Sequence, residues 1–314
     1  MTGQTRKADV LVVGHAVKDR IIDFQRQMSP RESLGGPVSY SSIALKSLGF
    51  TPHIITKVGD DFPATYSTIL LQNGGIDLRP FMANGQKSTS FKIDRSSDVR
   101  KLWLLAKCSE ISELDFLKYV KTVPGINQAR SVVINTVAGE LSLSLLSDFV
   151  KHFDHSFVDA QGFARAFAED GQVSMKNGID ISQLSGIEFL KADSEELRSL
   201  TGTKELEASI SMISKFVKYL ILTDDSSTAL IYEGRNWKMR TKPPSVKITD
   251  TTGAGDIFLA IFAAKYSESE DLEQAFALGT CSATMSVEGT GIEKAILDLD
   301  KVKSSLRNVS VEVN

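Results

Sequence analysis

Six short runs rich in Val, Ile, Leu and Phe recur along this chain, at 10–13, 53–58, 131–135, 156–159, 187–191 and 218–223, and most close on a small or polar residue. Apolar stretches of that length without alternation are what strands buried on both faces look like, and such strands belong to parallel sheets. Between them lie segments with helix punctuation. Residues 34–49, LGGPVSYSSIALKSLG, open on two glycines and a proline suited to a first helical turn and stop at Gly49; 63–71 is ended by Asn73, Gly74 and Gly75. Further helices are expected at 255–266 and 271–287. Strand and helix in alternation predict an α/β fold, a mostly parallel sheet covered by helices on both faces. Open sheets of this kind bind ligands outside the carboxyl ends of their strands. Asp159, Asp193 and Thr223 end or follow such runs and are candidates on that ground alone.

The pattern breaks once. Residues 88–93 and 100–105, STSFKI and RKLWLL, flank a polar stretch and read as an antiparallel hairpin, a flap inside an otherwise α/β chain. No Pro-rich, Gly/Ser-rich or single-sign linker divides the 314 residues, and no repeat recurs at a solenoid period. One domain spanning 1–314 is therefore expected, with an inserted β lid.

Composition narrows the function. A net charge of −3 argues against a nucleic-acid scaffold, and 42% hydrophobic residues suffice for a core without disulfide or structural metal. Cys108 and Cys281 form no CxxC pair, which fits a reducing compartment. The sequence passes from a short polar lead straight into its first strand, and no run reaches the length of a membrane span. A cytoplasmic protein acting on small molecules, with neither nucleic-acid nor membrane partners, is the expectation. His152 and His155 are three apart with no third ligand nearby and read as a partly exposed helix end, not a metal site; His15, after the first strand, lines a pocket or packs in the core.

The sharpest local string is ITDTTGAGDIFLAIFAAKY, 248–266. Gly253, Ala254 and Gly255 leave backbone N–H groups uncovered where a helix begins, and those donors together with the helix dipole favour an anion. Asp256 falls in the first turn. A carboxylate there can take the proton of an attacking hydroxyl while the amides hold the charge that develops on a transferring phosphoryl group. A plain helix cap accounts for GAGD by itself.

The longer string DTTGAGD resembles the C-terminal signature of the ribokinase, or PfkB, family of carbohydrate kinases, while GxxxxGK[ST] is absent and the first strand ends in LVVGHAV, not GxGxxG. The resemblance extends over nearly the whole chain and implies a ribokinase-like fold, a lid formed by about 17–35 and 87–107, and phosphoryl transfer from ATP with Mg2+. Residue by residue it implies Asp256 as base with Gly253, Ala254 and Gly255 as the anion site. Asp19 would bind substrate hydroxyls, with Gly35 and Gly36 letting backbone approach the substrate. KVGDDFP at 57–63 is also similar to the family. Asp193 and Glu196 stand where the family has Asn-x-x-Glu and would organise Mg2+ and phosphates through water. Asp250 and Thr252 would hold K+, and Thr223 and Gly289, with Gly291, would border the nucleotide.

Departures point to the substrate. Tyr40 stands where ribokinase-like sequences carry Asn, turning the pocket from ribose toward a cyclitol or another hexose-sized ring. VDAQGFAR at 158–165, with VVGHAVKD and LGGPVSYSSIAL, is similar to the archaeal and plant inositol-kinase branch, and implies Gln161, Arg165 and Glu140 as further substrate contacts. Asp224-Asp225-Ser226-Ser227 replaces the glycine-rich turn usual beside the nucleotide. Three readings result: an ATP-dependent sugar or cyclitol kinase favouring a myo-inositol-like acceptor, a nucleoside kinase on the same fold, or a non-catalytic sugar- or nucleotide-binding paralogue. Family members often dimerise through the lid, where Trp103, Leu104 and Leu105 would pack.

Overall fold

The computed structural model describes residues 9–23, 28–97, 100–223 and 228–314. Its main sheet and lid are built from thirteen strands. They are β1 (Asp9–Val13), β2 (Val17–Asp23), β3 (Met28–Gly35), β4 (Thr51–Ile55), β5 (Ser90–Asp94), β6 (Lys101–Ala106), β7 (Ser131–Ile134), β8 (His155–Asp159), β9 (Phe189–Asp193), β10 (Tyr219–Thr223), β11 (Ala229–Glu233), β12 (Asn236–Lys242) and β13 (Ser310–Val313). Nine form one sheet in the order β13-β12-β11-β10-β9-β8-β7-β1-β4. The six strands from β4 to β10 in that order run parallel; the three beyond β10 are antiparallel.

The parallel strands carry the predicted apolar runs for a simple reason: both faces are covered. Val10 to Val13 are fully buried, as are Val132, Val133 and Ile134. Four helices matter to the site: α1 (Pro37–Ser47), α2 (Ser194–Thr201), α3 (Ala254–Ser269) and α4 (Leu272–Ser286). Ile257 to Ala264 of α3 are all buried because α3 is packed by α4, α1 and the sheet. Phe157 of β8 and Phe189 of β9 stack at 4.8 Å, and Phe262 of α3 meets both edge-on at 5.5 and 5.1 Å. Burial of each ring stabilises by about 1.5–3 kcal/mol, and together they fix the height of α3 above the strand ends.

The flap is present as a second sheet, β3-β2-β5-β6, in which β5 and β6 are the expected antiparallel pair and β2 joins β5 in parallel. Core and lid meet at buried Thr89. Its carbonyl accepts the Lys18 N–H at 3.0 Å, its hydroxyl accepts the Cys108 N–H at 3.0 Å and lies 2.7 Å from His15 Nδ1. Burial holds the His15 imidazole down at about 4, so it is neutral and structural.

The structure adds the hairpin β11–β12 and the C-terminal strand β13, which sequence periodicity did not announce. It also corrects the view of His155, which opens β8 rather than ending a helix and is 2.8 Å from the Glu188 carboxylate. His152 is exposed and lies against Phe116. Trp103 is engaged within the chain, under Lys92 at 3.5 Å, while Leu105 is exposed.

Candidate active site

The turn before α3 has the shape its glycines suggest. Gly253 is left-handed (φ 78°) and its carbonyl takes the first intrahelical bond, from Ile257 at 3.0 Å. The amides of Gly255 and Asp256 therefore have no acceptor within the helix, and a bound anion can supply one. Asp256 accepts a bond from Asn135 Nδ2 at 2.9 Å, from the end of β7. Burial, with Asp159 nearby, pushes its carboxyl up to about 6, a base ionised at neutral pH yet basic enough to take a proton.

Two cavities meet at this turn. The first, about 160 Å³, lies between the sheet and the lid and is lined by Asp19, Gly36, Tyr40, Gln161, Arg165 and Asp256, with Phe91, Ile93, Arg100 and Leu102 from the lid side. The second, about 520 Å³, lies over the antiparallel end of the sheet and is lined by Thr223, Val246, Ile248, Ala283, Thr284 and Val287 among others. Lys191, Thr251 and Gly255 line both. An acceptor in one cavity and a phosphoryl donor in the other would thus face each other across the amides of the turn.

Within the acceptor cavity, Asp19 shows why Gly35 is needed. A Cβ on Gly35 would lie 2.0 Å from Asp19 Oδ2. Burial raises the Asp19 carboxyl to about 7 against the pull of Arg100, Arg165 and Arg95. Tyr40 lies flat on the turn before α3: a Cβ on Gly253 would come 2.5 Å from its ring, so glycine is demanded there by contact as well as by φ. Arg165 reaches the cavity and donates to the Val137 carbonyl at 3.1 Å.

Sequence reasoning missed Lys191. It is buried in β9, its ammonium bonds Asp159 at 2.7 Å, and a Cβ on Gly255 would stand 3.1 Å from its nitrogen. Asp159 and Glu196 outweigh burial and hold this lysine charged, with its pKa raised. The only signal was a lysine inside an apolar run, 187–191, whose partner lies 32 residues away.

Several expected residues sit elsewhere. Glu140 is fully buried and lines neither cavity; its carboxylate accepts the amides of His15, Val137 and Ala138 and so braces a loop rather than a substrate. Gly289 does not line the donor cavity: a Cβ there would lie 2.8 Å from Lys294 Cβ. Asp193 and Glu196 cap α2 reciprocally, each carboxylate accepting the other's amide at 2.7 and 2.9 Å. Residues 224–227, the Asp-Asp-Ser-Ser turn, lie outside the described residues.

For Mg2+, the capping box spends one oxygen of each of Asp193 and Glu196 on backbone, and burial raises Glu196 to about 7. Direct ligation by the pair fits poorly; holding the waters of a nucleotide-bound Mg2+ fits, as that ion keeps its waters and leans on phosphate oxygens. For K+, Asp250 and Thr252 do not fit. Arg95 Nη2 lies 3.0 Å from Asp250 Oδ1 and 2.5 Å from Thr252 Oγ1, and Lys294 Nζ lies 2.6 Å from the Asp250 carbonyl.

Known proteins agree with this architecture. Inositol 3-kinase of Arabidopsis thaliana is 27% identical over 97% of this chain and 81% of its own length. A pyrophosphate-dependent kinase of the ribokinase family, solved with a pyrophosphate analogue and myo-inositol, superposes with a TM-score of 0.76 at 21% identity, covering 94% of this chain and 99% of that one. Ribokinase of Arabidopsis thaliana with ribose and ATP gives 0.73 at 17% identity, covering 96% and 99%. The family profile for pfkB family carbohydrate kinases matches residues 7–298. With that match over nearly the whole length, on a ribokinase-like fold and around the DTTGAGD turn, the chain belongs to the pfkB family of carbohydrate kinases.

Proposed function

We propose that this kinase moves the γ-phosphoryl group of ATP, bound with Mg2+, to a ring hydroxyl of a myo-inositol-like cyclitol, as one domain whose lid covers the acceptor. The observation that carries the reading is the pair of cavities joined at Lys191, Thr251 and Gly255. The acceptor cavity, about 160 Å³, is the smaller of the two, and its Asp19, Gln161 and Arg165 suit the hydroxyls of a hexose-sized ring. In the proposed step Asp19 accepts bonds from neighbouring hydroxyls and Asp256 takes the proton of the attacking one. That oxygen bonds to the γ-phosphorus, the bond to the β,γ-bridging oxygen breaks, and ADP leaves. The Gly255 and Asp256 amides and the Lys191 ammonium meet the charge on the transferring group. Magnesium, when bound, neutralises phosphate charge. Tyr40, seated on Gly253, couples acceptor position to the turn.

Pyrophosphate is the second reading for the donor, favoured by the similarity to a pyrophosphate-dependent kinase. Against it stands the donor cavity, about 520 Å³ with Val246, Ile248, Ala283 and Val287 in its wall. An apolar wall serves a base and has no use for pyrophosphate. The deciding assay supplies ATP or pyrophosphate, with Mg2+, to myo-inositol, hexoses, pentoses and nucleosides, and follows phosphorylated product by 31P NMR beside Asp256→Asn. ATP-dependent cyclitol phosphorylation, lost in the variant, is expected. Turnover of nucleosides alone, or with pyrophosphate alone, would replace the acceptor or the donor; donor binding without turnover of any acceptor would leave the non-catalytic reading.

A further inference from the structure

We infer that the catalytic turn is held by two of the protein's own cations, Lys294 and Arg95, in place of a monovalent metal ion, and that this kinase needs no potassium. The inference concerns the same site and so rests on the kinase reading, but it is argued from the oxygens of residues 250–252.

Those oxygens already have donors. The Asp250 carbonyl accepts from Lys294 Nζ at 2.6 Å. Asp250 Oδ1 accepts from Arg95 Nη2 at 3.0 Å and from the Thr252 amide at 2.9 Å, with Lys294 Nζ 3.8 Å away. Thr252 Oγ1 has Arg95 Nη2 at 2.5 Å. An alkali ion asks for a cluster of oxygens whose lone pairs point at one centre, and here those lone pairs point at nitrogen. A third positive charge on the same carboxylate would also be repelled by the two present, and more strongly away from solvent.

The lysine is built in, not incidental. Its side chain is 0% exposed. Its stem passes where Gly289 has no side chain, since a Cβ on Gly289 would lie 2.8 Å from Lys294 Cβ. Its ammonium stands 5.9 Å from the centre of the Tyr40 ring, the ring that also lies on Gly253. Burial lowers its pKa to about 8, which leaves it protonated at neutral pH. Lys294 thus ties the loop after α4 to the turn before α3. Arg95, which follows β5, ties the lid to the same carboxylate, a link that a free ion would not make.

The test compares KCl, NaCl and tetramethylammonium chloride at equal ionic strength and pH 7, reading both melting temperature and turnover. Wild-type protein is expected to give the same values in all three salts. Lys294→Met is expected to melt roughly 5 °C lower in tetramethylammonium chloride and to recover part of the loss in KCl. A wild-type protein whose melting temperature rises specifically with K+ overturns the inference, as does a folded Lys294→Met indifferent to K+. Should that variant fail to fold, the wild-type comparison decides alone. Because melting is read without an acceptor, failure of the kinase reading and failure of this one are distinguishable.

Discussion

On the proposed mechanism, Asp256 would serve catalysis at the expense of the fold. Its carboxyl, raised from 3.8 to about 6, binds protons more readily in the folded chain than in the unfolded one. The sign follows: stability falls as pH rises from about 4 through 6 and the cost is complete above it. Asp256→Asn, which keeps the shape and removes the charge, should therefore stabilise the protein by about 2 kcal/mol at pH 8 in urea unfolding while lowering kcat by roughly 10²–10⁴. The same group sets an acid limb: kcat/KM should fall as pH drops below about 6, and Asp19, raised to about 7, should bring the limb up toward neutrality. A pH–rate profile reads both. Asp256 could be proposed from the small-residue turn that precedes it, and Asp19 only from the family resemblance, five residues after Gly14. Lys191 was not legible, since a charge inside an apolar run is explained only by its partner in another strand. Glu140 was misread for the converse reason: a carboxylate at a loop edge looks like a ligand until its oxygens are seen on three amides.

Among elements, the parallel strands were readable because burial on both faces leaves continuous apolar runs. The antiparallel extension was not. In β12, Asn236–Lys242, Trp237 and Met239 alternate with polar residues and one face carries water, so the run resembles any exposed segment. Yet this extension, with residues 243–248, walls the donor cavity. Ile248 lines that cavity and is 57% exposed, so it can be changed without disturbing the core. Ile248→Asp should raise KM for ATP about tenfold, equivalent to roughly 1.4 kcal/mol, with kcat and melting temperature little changed. If the donor is pyrophosphate, its KM should not respond.

At the scale of the molecule, two sheets enclose the proposed acceptor cavity: a large one whose strand ends supply Asn135, Asp159 and Lys191, and a small one that roofs it. The division was legible as a break in pattern, whereas their junction was not, because Thr89 bonds groups 74 and 19 residues distant. Thr89→Val keeps the volume and strips the hydroxyl, orphaning the buried Cys108 amide. It should cost about 1–3 kcal/mol in thermal or urea unfolding and raise KM for the acceptor more than KM for the donor. The roof has a second fastening at Arg95, whose guanidinium reaches Asp250. Thr89 and Arg95 flank β5, Ser90–Asp94, so the strand that supplies Phe91 and Ile93 to the cavity is clamped to the core at both ends. The height of the roof over Asp19 is thereby set by two fixed points, like a beam resting on two posts.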